Sequence, residues 1–157
     1  MLKVLIADDE SKVCQLIEKL VDWDALDMEV GAVAENGIDA LEKIKEVHPD
    51  IVITDIRMPG YDGRDLIRLG KEEAPNAEFV IISGYRHFEY AQMAIRYGVN
   101  AYLLKPIKKD ELTETLKRLS TRFRAQTEQL SQEEKTRLAI RSDEKNLRQA
   151  FLQDLVG

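Results

Sequence analysis

ITDIRMPG, residues 53–60, opens as an apolar, β-branched run, stops on the carboxylate of Asp55 and passes at once into Arg57, Met58, Pro59 and Gly60. A strand that is apolar to its end has both faces covered, so a charge placed there needs a reason beyond solubility. Four other runs share the character of 51–54 (IVIT): 2–7 (LKVLIA), 29–34 (EVGAVA), 79–82 (FVII) and 101–104 (AYLL). Short apolar runs of this kind between turn residues predict buried strands. The gaps between them carry helical spacing, with Val13, Leu16, Ile17 and Leu20 in the first and Ile38, Leu41 and Ile44 in the second. Leu66 and Ile67 mark a third, Phe88, Ala91 and Ile95 a fourth, and Leu112, Leu116 and Leu119 a fifth. A β-α unit repeated five times predicts an α/β fold, with a doubly wound parallel sheet and right-handed crossovers. Pro49-Asp50 and Pro75-Asn76 fall where helices should stop, and Gly98 suits the left-handed position after the fourth.

Composition bounds the function. The chain has 157 residues, 44% of them hydrophobic, enough for one domain with an appendage. No run approaches the roughly 18 apolar residues of a membrane span, and 2–7 is too short for a signal-peptide core, so a soluble, cytoplasmic protein is expected. Cys14, the single cysteine, rules out an internal disulfide and a multi-cysteine metal site; its place on an apolar helix face predicts burial. A net charge of −6 argues against direct affinity for nucleic acid, which is held by clustered Lys and Arg.

In doubly wound sheets ligands bind beyond the carboxyl ends of the strands. Here those ends carry Asp8, Asp9 and Glu10 on the first strand, Asp55 on the third, Ser83 and Gly84 on the fourth, and Lys105 and Pro106 on the fifth. Glu35-Asn36-Gly37 after the second reads as a turn into a helix. Each residue alone has a plainer explanation. Asp8, Asp9 or Ser11 would cap the first helix, Asp55 would start the Pro-Gly turn, and Lys105 would be a solvated charge. Their coincidence on one edge of one sheet outweighs these readings. Asp8, Asp9 and Asp55, brought together if the first and third strands are neighbours, call for a cation, and a few hard oxygen ligands with room for water suit Mg2+. An aspartate can also attack phosphorus to form an acyl phosphate, with Lys105 and the Ser83 hydroxyl binding the transferring group.

ADDE at 7–10, ITDIRMPGYDG at 53–63, ISG at 82–84 and YLLKP at 102–106 resemble the receiver domain of bacterial two-component response regulators. The resemblance covers about residues 1–119 in order and spacing. It implies a flavodoxin-like five-stranded sheet of order 2-1-3-4-5 and phosphoryl transfer from a sensor histidine kinase to Asp55. It further implies that Asp9, Asp55 and the main-chain carbonyl of Arg57 bind Mg2+ directly, that Asp8 assists through water, and that Ser83 and Lys105 contact the phosphoryl group. The Lys105–Pro106 bond should be cis, Ser83 and Tyr102 should form the switch, and the domain should be a signalling element that is not a turnover enzyme. Trp23, AENG at 34–37 and the segment 83–107 are similar to receivers whose regulators carry an AraC-type helix-turn-helix output domain. Arg64 and Gly70 depart from the family pattern; an interior helix glycine costs roughly 1 kcal/mol against Ala. Tyr85, His87, Tyr90 and Tyr97 surround the fourth helix, and the plainer view makes them surface decoration.

Residues 120–157 carry seven Lys or Arg and six Asp or Glu, so they form no basic arm. Leu112, Leu116, Leu119, Phe123, Leu130, Ile140, Leu147 and Phe151 fall on an alternating four-and-three series interrupted by Gln126, Glu133, Arg137 and Glu144. An extended C-terminal helical segment is expected, either a linker or a weak coiled coil supporting a phosphorylation-dependent homodimer. DNA would be reached only through an output domain outside this chain. Two alternatives remain in view: a phosphorylation-independent dimerisation module, and a haloacid-dehalogenase-type phosphatase. The phosphatase would want an acid two residues after Asp55, where Arg57 stands.

Overall fold

Residues 1–84, 92 and 96–126 are described by the structure, a computed structural model. The elements run β1 (Leu2–Ala7), α1 (Ser11–Leu20), β2 (Met28–Ala34), α2 (Gly37–Val47), β3 (Ile51–Thr54), α3 (Gly63–Glu73), β4 (Glu78–Ser83) and β5 (Ala101–Leu104). The five strands form one parallel sheet of order β2-β1-β3-β4-β5. Val4, Leu5 and Ile6 of β1, Ile51 and Val52 of β3, and Phe79, Val80 and Ile81 of β4 have no exposed surface, which is why these strands read as unbroken apolar runs. The edge strand β5 is only half-buried.

Register places the strand ends at one level. Ala7 pairs with Thr54, Thr54 with Ile81, and Ser83 with Leu104. Asp8 and Asp55 therefore leave the sheet side by side. The Asp55 N–H donates to the Ala7 carbonyl at 2.9 Å, and the Lys105 N–H to the Ser83 carbonyl at 2.8 Å. The Lys105–Pro106 peptide is cis.

Helix packing revises two expectations. Leu16 is 46% and Ile38 54% exposed, although both fit the apolar spacing. In α1 the buried residues are Cys14 and Ile17, and Leu16 is turned one position away from that line. In α2 the buried face is Gly37, Ala40, Leu41 and Ile44, and Ile38 lies over Gly60 instead. No side chain caps α1: its N-cap is Glu10, without a side-chain hydrogen bond, so neither Asp8, Asp9 nor Ser11 fills that role. Gly98 adopts φ +70 as expected, but α2 ends on His48 at φ 50, a left-handed residue that composition alone does not flag.

Gly70 acquires a reason for its place in α3. A Cβ there would lie 3.0 Å from both Ile44 Cδ1 and Phe79 Cζ, so the missing side chain lets α3 settle against α2 and the sheet. Arg64, the other departure, pairs with Asp62 at 3.0 Å on the surface.

The chain divides into two units, Met1–Lys117 and Arg118–Gly157. In the first, residues 109–117 are helical and Leu112 and Leu116 are fully buried, so these two are already occupied in the monomer. In the second, residues 118–126 are helical. Leu130, Ile140, Leu147 and Phe151 of the proposed seam lie outside the described residues, as do Tyr85, His87, Phe88, Tyr90, Ala91 and Ile95 of the fourth helical segment. Among the described residues no helix is long and apolar enough to cross a membrane.

Candidate functional site

Lys105 organises the carboxyl edge of the sheet. Its Nζ lies 3.0 Å from Asp8 Oδ2 and 3.1 Å from Asp55 Oδ2, joining the ends of β1, β3 and β5. The surroundings are dry: side-chain exposure is 3% for Asp8, 8% for Asp55 and 21% for Lys105. Each aspartate has a second anchor. Asp8 Oδ1 accepts the Glu10 N–H at 2.9 Å, and Asp55 Oδ1 accepts the Ile56 N–H at 2.6 Å. Asp55 is thus held at both oxygens instead of initiating the following turn. Ser83 is fully buried at the end of β4.

Charge in this cleft is unbalanced. Burial pushes the Asp55 carboxyl above its ordinary value, and the nearby Asp8 adds to the shift; Lys105 and the Ile56 N–H oppose both. Asp9 is also raised, first by desolvation and then by Asp8 and Asp55. Burial would lower the Lys105 ammonium, but its bonds to Asp8 and Asp55 prevail and hold it above the usual lysine value. The carboxylates of Asp8, Asp9 and Glu10 lie within 4.8 Å of one another, a set that can hold a cation. Glu10 follows Asp9 directly in the chain and was visible at the strand end, but it was not assigned to the cation set.

Asp9 opens onto a groove of about 350 Å³ lined also by Arg57, Met58, Pro59 and Asp62. Two features of the groove wall were not singled out from sequence. Asp62 is the N-cap of α3, accepting the N–H groups of Arg64 and Asp65 at 2.9 and 3.0 Å. The start of α2 braces the same loop: the Gly37 N–H donates to the Pro59 carbonyl at 3.0 Å, and a Cβ on Gly37 would fall 1.7 Å from the Tyr61 carbonyl oxygen. AENG therefore has a local mechanical explanation, completed by Asn36, whose side chain caps α2 through the Asp39 N–H at 2.7 Å. A D-G pair before a helical run was the available signal for Asp62; the Gly37 contact joins distant segments and has none.

Tyr102, on β5, is half-buried and packs against the hydrophobic core. Cys14 is buried, and burial lifts its thiol to about 11. Trp23 donates its indole N–H to the Glu18 carbonyl at 2.9 Å.

Residues 4–117 match the family model of the response regulator receiver domain. The chain belongs to that family. Among curated relatives, the receiver is 38% identical over 126 residues to an uncharacterized transcriptional regulatory protein, YesN, of Bacillus subtilis, covering 80% of this chain and 34% of YesN. It is 36% identical over 119 residues to the transcriptional regulatory protein HptR of Staphylococcus aureus, covering 76% of this chain and 46% of HptR. The chain thus spans less than half the length of either relative. A solved structure, the REC domain of the response regulator AraT from Geobacillus stearothermophilus, superposes with a TM-score of 0.76 at 39% identity, covering 80% of this chain and 98% of that one. A receiver domain from Clostridium thermocellum gives a TM-score of 0.71 at 29% identity, covering 80% and 98%. Receivers are signalling domains, and the five-stranded order agrees with that fold.

Proposed function

We propose that this receiver accepts a phosphoryl group on Asp55 from a sensor histidine kinase and transmits the change to transcription. The observation that carries the reading is the dry Asp8–Lys105–Asp55 bridge at the carboxyl edge of the sheet. In the transfer, an oxygen of Asp55 forms a bond to phosphorus as the N–P bond of a phosphohistidine breaks and the imidazole keeps the bonding pair. Lys105 is already within reach of Asp55 to balance charge on the transferred group, and the Ser83 hydroxyl supplies a donor from the neighbouring strand.

The donor set fits Mg2+. One lysine faces both Asp8 and Asp55, while Asp9 stands beside the carboxylates of Asp8 and Glu10 and has its proton affinity raised by burial and then by Asp8 and Asp55. Asp9, Asp55 and the main-chain carbonyl of Arg57 would hold the ion, with Asp8 acting through water. When bound it would neutralise charge on the phosphoryl oxygens. Isothermal titration with Mg2+ should show much weaker binding for Asp9→Ala than for Ser11→Ala. Equal affinities would overturn the assignment.

The decisive experiment is intact-protein mass after incubation with acetyl phosphate and Mg2+. One phosphoryl group should be gained by the native chain and none by Asp55→Asn. Labelling of that variant would remove Asp55 as the acceptor.

Output is assigned by similarity. YesN and HptR are transcriptional regulators longer than this chain. Residues 1–119 would then be the receiver and 120–157 a helical linker toward an AraC-type helix-turn-helix domain, through which DNA is reached. Ser83 and Tyr102 would couple phosphate to the output face, and phosphorylation would favour a homodimer. Because Leu112 and Leu116 are buried in the monomer, dimer contacts must come from other positions. Analytical ultracentrifugation of the full chain, with and without phosphodonor, tests this; a monomer at every concentration reduces the tail to a tether.

A further inference from the structure

Thr54, the last residue of β3, is fully buried, and its hydroxyl donates to the main-chain carbonyl of Asp55 at 2.9 Å. A strand-end threonine in a parallel sheet has no packing need for that hydroxyl, since Val fills the same space. What the hydroxyl holds is one end of the Asp55–Ile56 peptide. The other end of that peptide is the Ile56 N–H, which donates to Asp55 Oδ1 at 2.6 Å. A rigid planar unit therefore connects the Thr54 hydroxyl to the carboxylate. Beyond it the Ile56 carbonyl accepts the Gly63 N–H at 2.7 Å, and a Cβ on Gly63 would lie 2.8 Å from the Asp55 carbonyl oxygen. The Asp55 carbonyl is thus approached from one side by the Thr54 hydroxyl and from another by a bare α-carbon.

Rotation of the 55–56 peptide would carry the Ile56 N–H away from Oδ1 and release the carboxylate to turn about its side-chain bond. Oδ2, now 3.1 Å from the Lys105 ammonium, would lose its fixed direction. We infer that Thr54 is a positioning residue for the acceptor, its hydroxyl locking the Asp55–Ile56 peptide so that Oδ1 is tied to the Ile56 N–H and Oδ2 is aimed at Lys105. This role rests on the reading of Asp55 as the phosphoacceptor. Thr54 touches neither the phosphoryl group nor the cation; it acts through the main chain, where a small angular error in the nucleophile lowers the rate steeply.

The test uses the full chain and two variants. Thr54→Val keeps the shape and removes the hydroxyl, whereas Thr54→Ser keeps the hydroxyl and removes the methyl group. The first readout is the Ile56 amide proton shift by NMR, without Mg2+ or phosphodonor: it should move in Thr54→Val and stay near native in Thr54→Ser. The second is the rate of phosphorylation by acetyl phosphate with Mg2+, in which the Asp55 O–P bond forms as the phosphorus–oxygen bond to acetate breaks. A displaced nucleophile predicts a loss of about tenfold for Thr54→Val and within about twofold of native for Thr54→Ser. An unchanged rate and shift in Thr54→Val would overturn the positioning role while leaving the acceptor reading intact. Failure of the native chain to label would overturn the acceptor reading, and the positioning role with it. Should Thr54→Val not fold, Thr54→Ser decides: a native shift and rate support the hydroxyl, and loss of both assigns the effect to the methyl group.

Discussion

Asp55 and Asp62 bound the same loop, and their protons are pulled in opposite directions. Both lose some hydration. At Asp62 burial would raise the carboxyl, but the N–H groups at the start of α3 and the Arg64 guanidinium outweigh it and bring the group below its ordinary value. At Asp55 burial wins over Lys105 and the Ile56 N–H, and the carboxyl is raised. The helix start offers donors to a carboxylate and is stabilised by it. At the strand end a charge sits in a dry cleft beside Asp8, sharing its one lysine. The Asp62 carboxylate lowers the energy of the fold at neutral pH, whereas the Asp55 carboxylate raises it.

Replacing each by Asn sharpens that contrast most. Asp55→Asn should lose all phosphoryl uptake, whereas Asp62→Asn should retain uptake within about threefold, since the cap positions a helix and donates nothing to the reaction. Intact-protein mass over a time course measures both. If Asp62→Asn were as inert as Asp55→Asn, the loop could no longer be divided into an acceptor end and a structural end.

Removing the lysine should produce the next largest effect. Lys105→Met leaves Asp8 and Asp55 facing each other without a cation, and breaking a buried pair from one side costs roughly 3 kcal/mol. Chemical denaturation should show that loss, and it should shrink in the Lys105→Met, Asp55→Asn double variant because one of the stranded charges is gone. Equal stability of the single and double variants would mean that the bridge is not what relieves the repulsion. Gly37→Ala belongs in the same range but for a steric reason. Its Cβ would fall 1.7 Å from a main-chain oxygen, so the loop must move, and a loss of about 2 kcal/mol is expected in the same measurement.

Legibility in the sequence followed the range of each interaction. Strand order, the five strands and the shared edge of Asp8, Asp55, Ser83 and Lys105 came from short apolar runs and family motifs, because a buried parallel strand constrains nearly every residue in it. Leu16 and Ile38 were misplaced because apolar spacing identifies a helix face only to within about one residue, and neither position fixes which neighbour lies opposite. Gly70 looked like a defect until Ile44 and Phe79 were seen against it. Gly37 lies against the Tyr61 main chain and the Thr54 hydroxyl against the Asp55 carbonyl; each contact ends on a backbone atom, and no side-chain pattern carries it. The site's residue types were readable; the parts that orient them were not.

The smallest expected effect is a difference in pH dependence, and it tests the opening contrast directly. Asp62 has a folded value below its ordinary 3.8, so the stability it contributes is present above that value and is lost as pH falls through the folded value. Asp62→Ala should therefore cost about 1 kcal/mol at neutral pH and progressively less in acid, below about pH 4. Asp55 has a folded value above 3.8, so the folded state binds its proton more tightly than the unfolded chain. Its contribution is most favourable below 3.8 and is lost as pH rises through the folded value. Asp55→Asn should accordingly be more stable than the native chain at neutral pH, with the gain fading as pH falls. Paired denaturation curves between about pH 3 and 7, in low salt and without Mg2+, should give stability differences of opposite sign for the two variants, both converging toward zero in acid. Curves of the same sign would show that Lys105 compensates Asp55 fully and that this carboxylate is held at no energetic disadvantage.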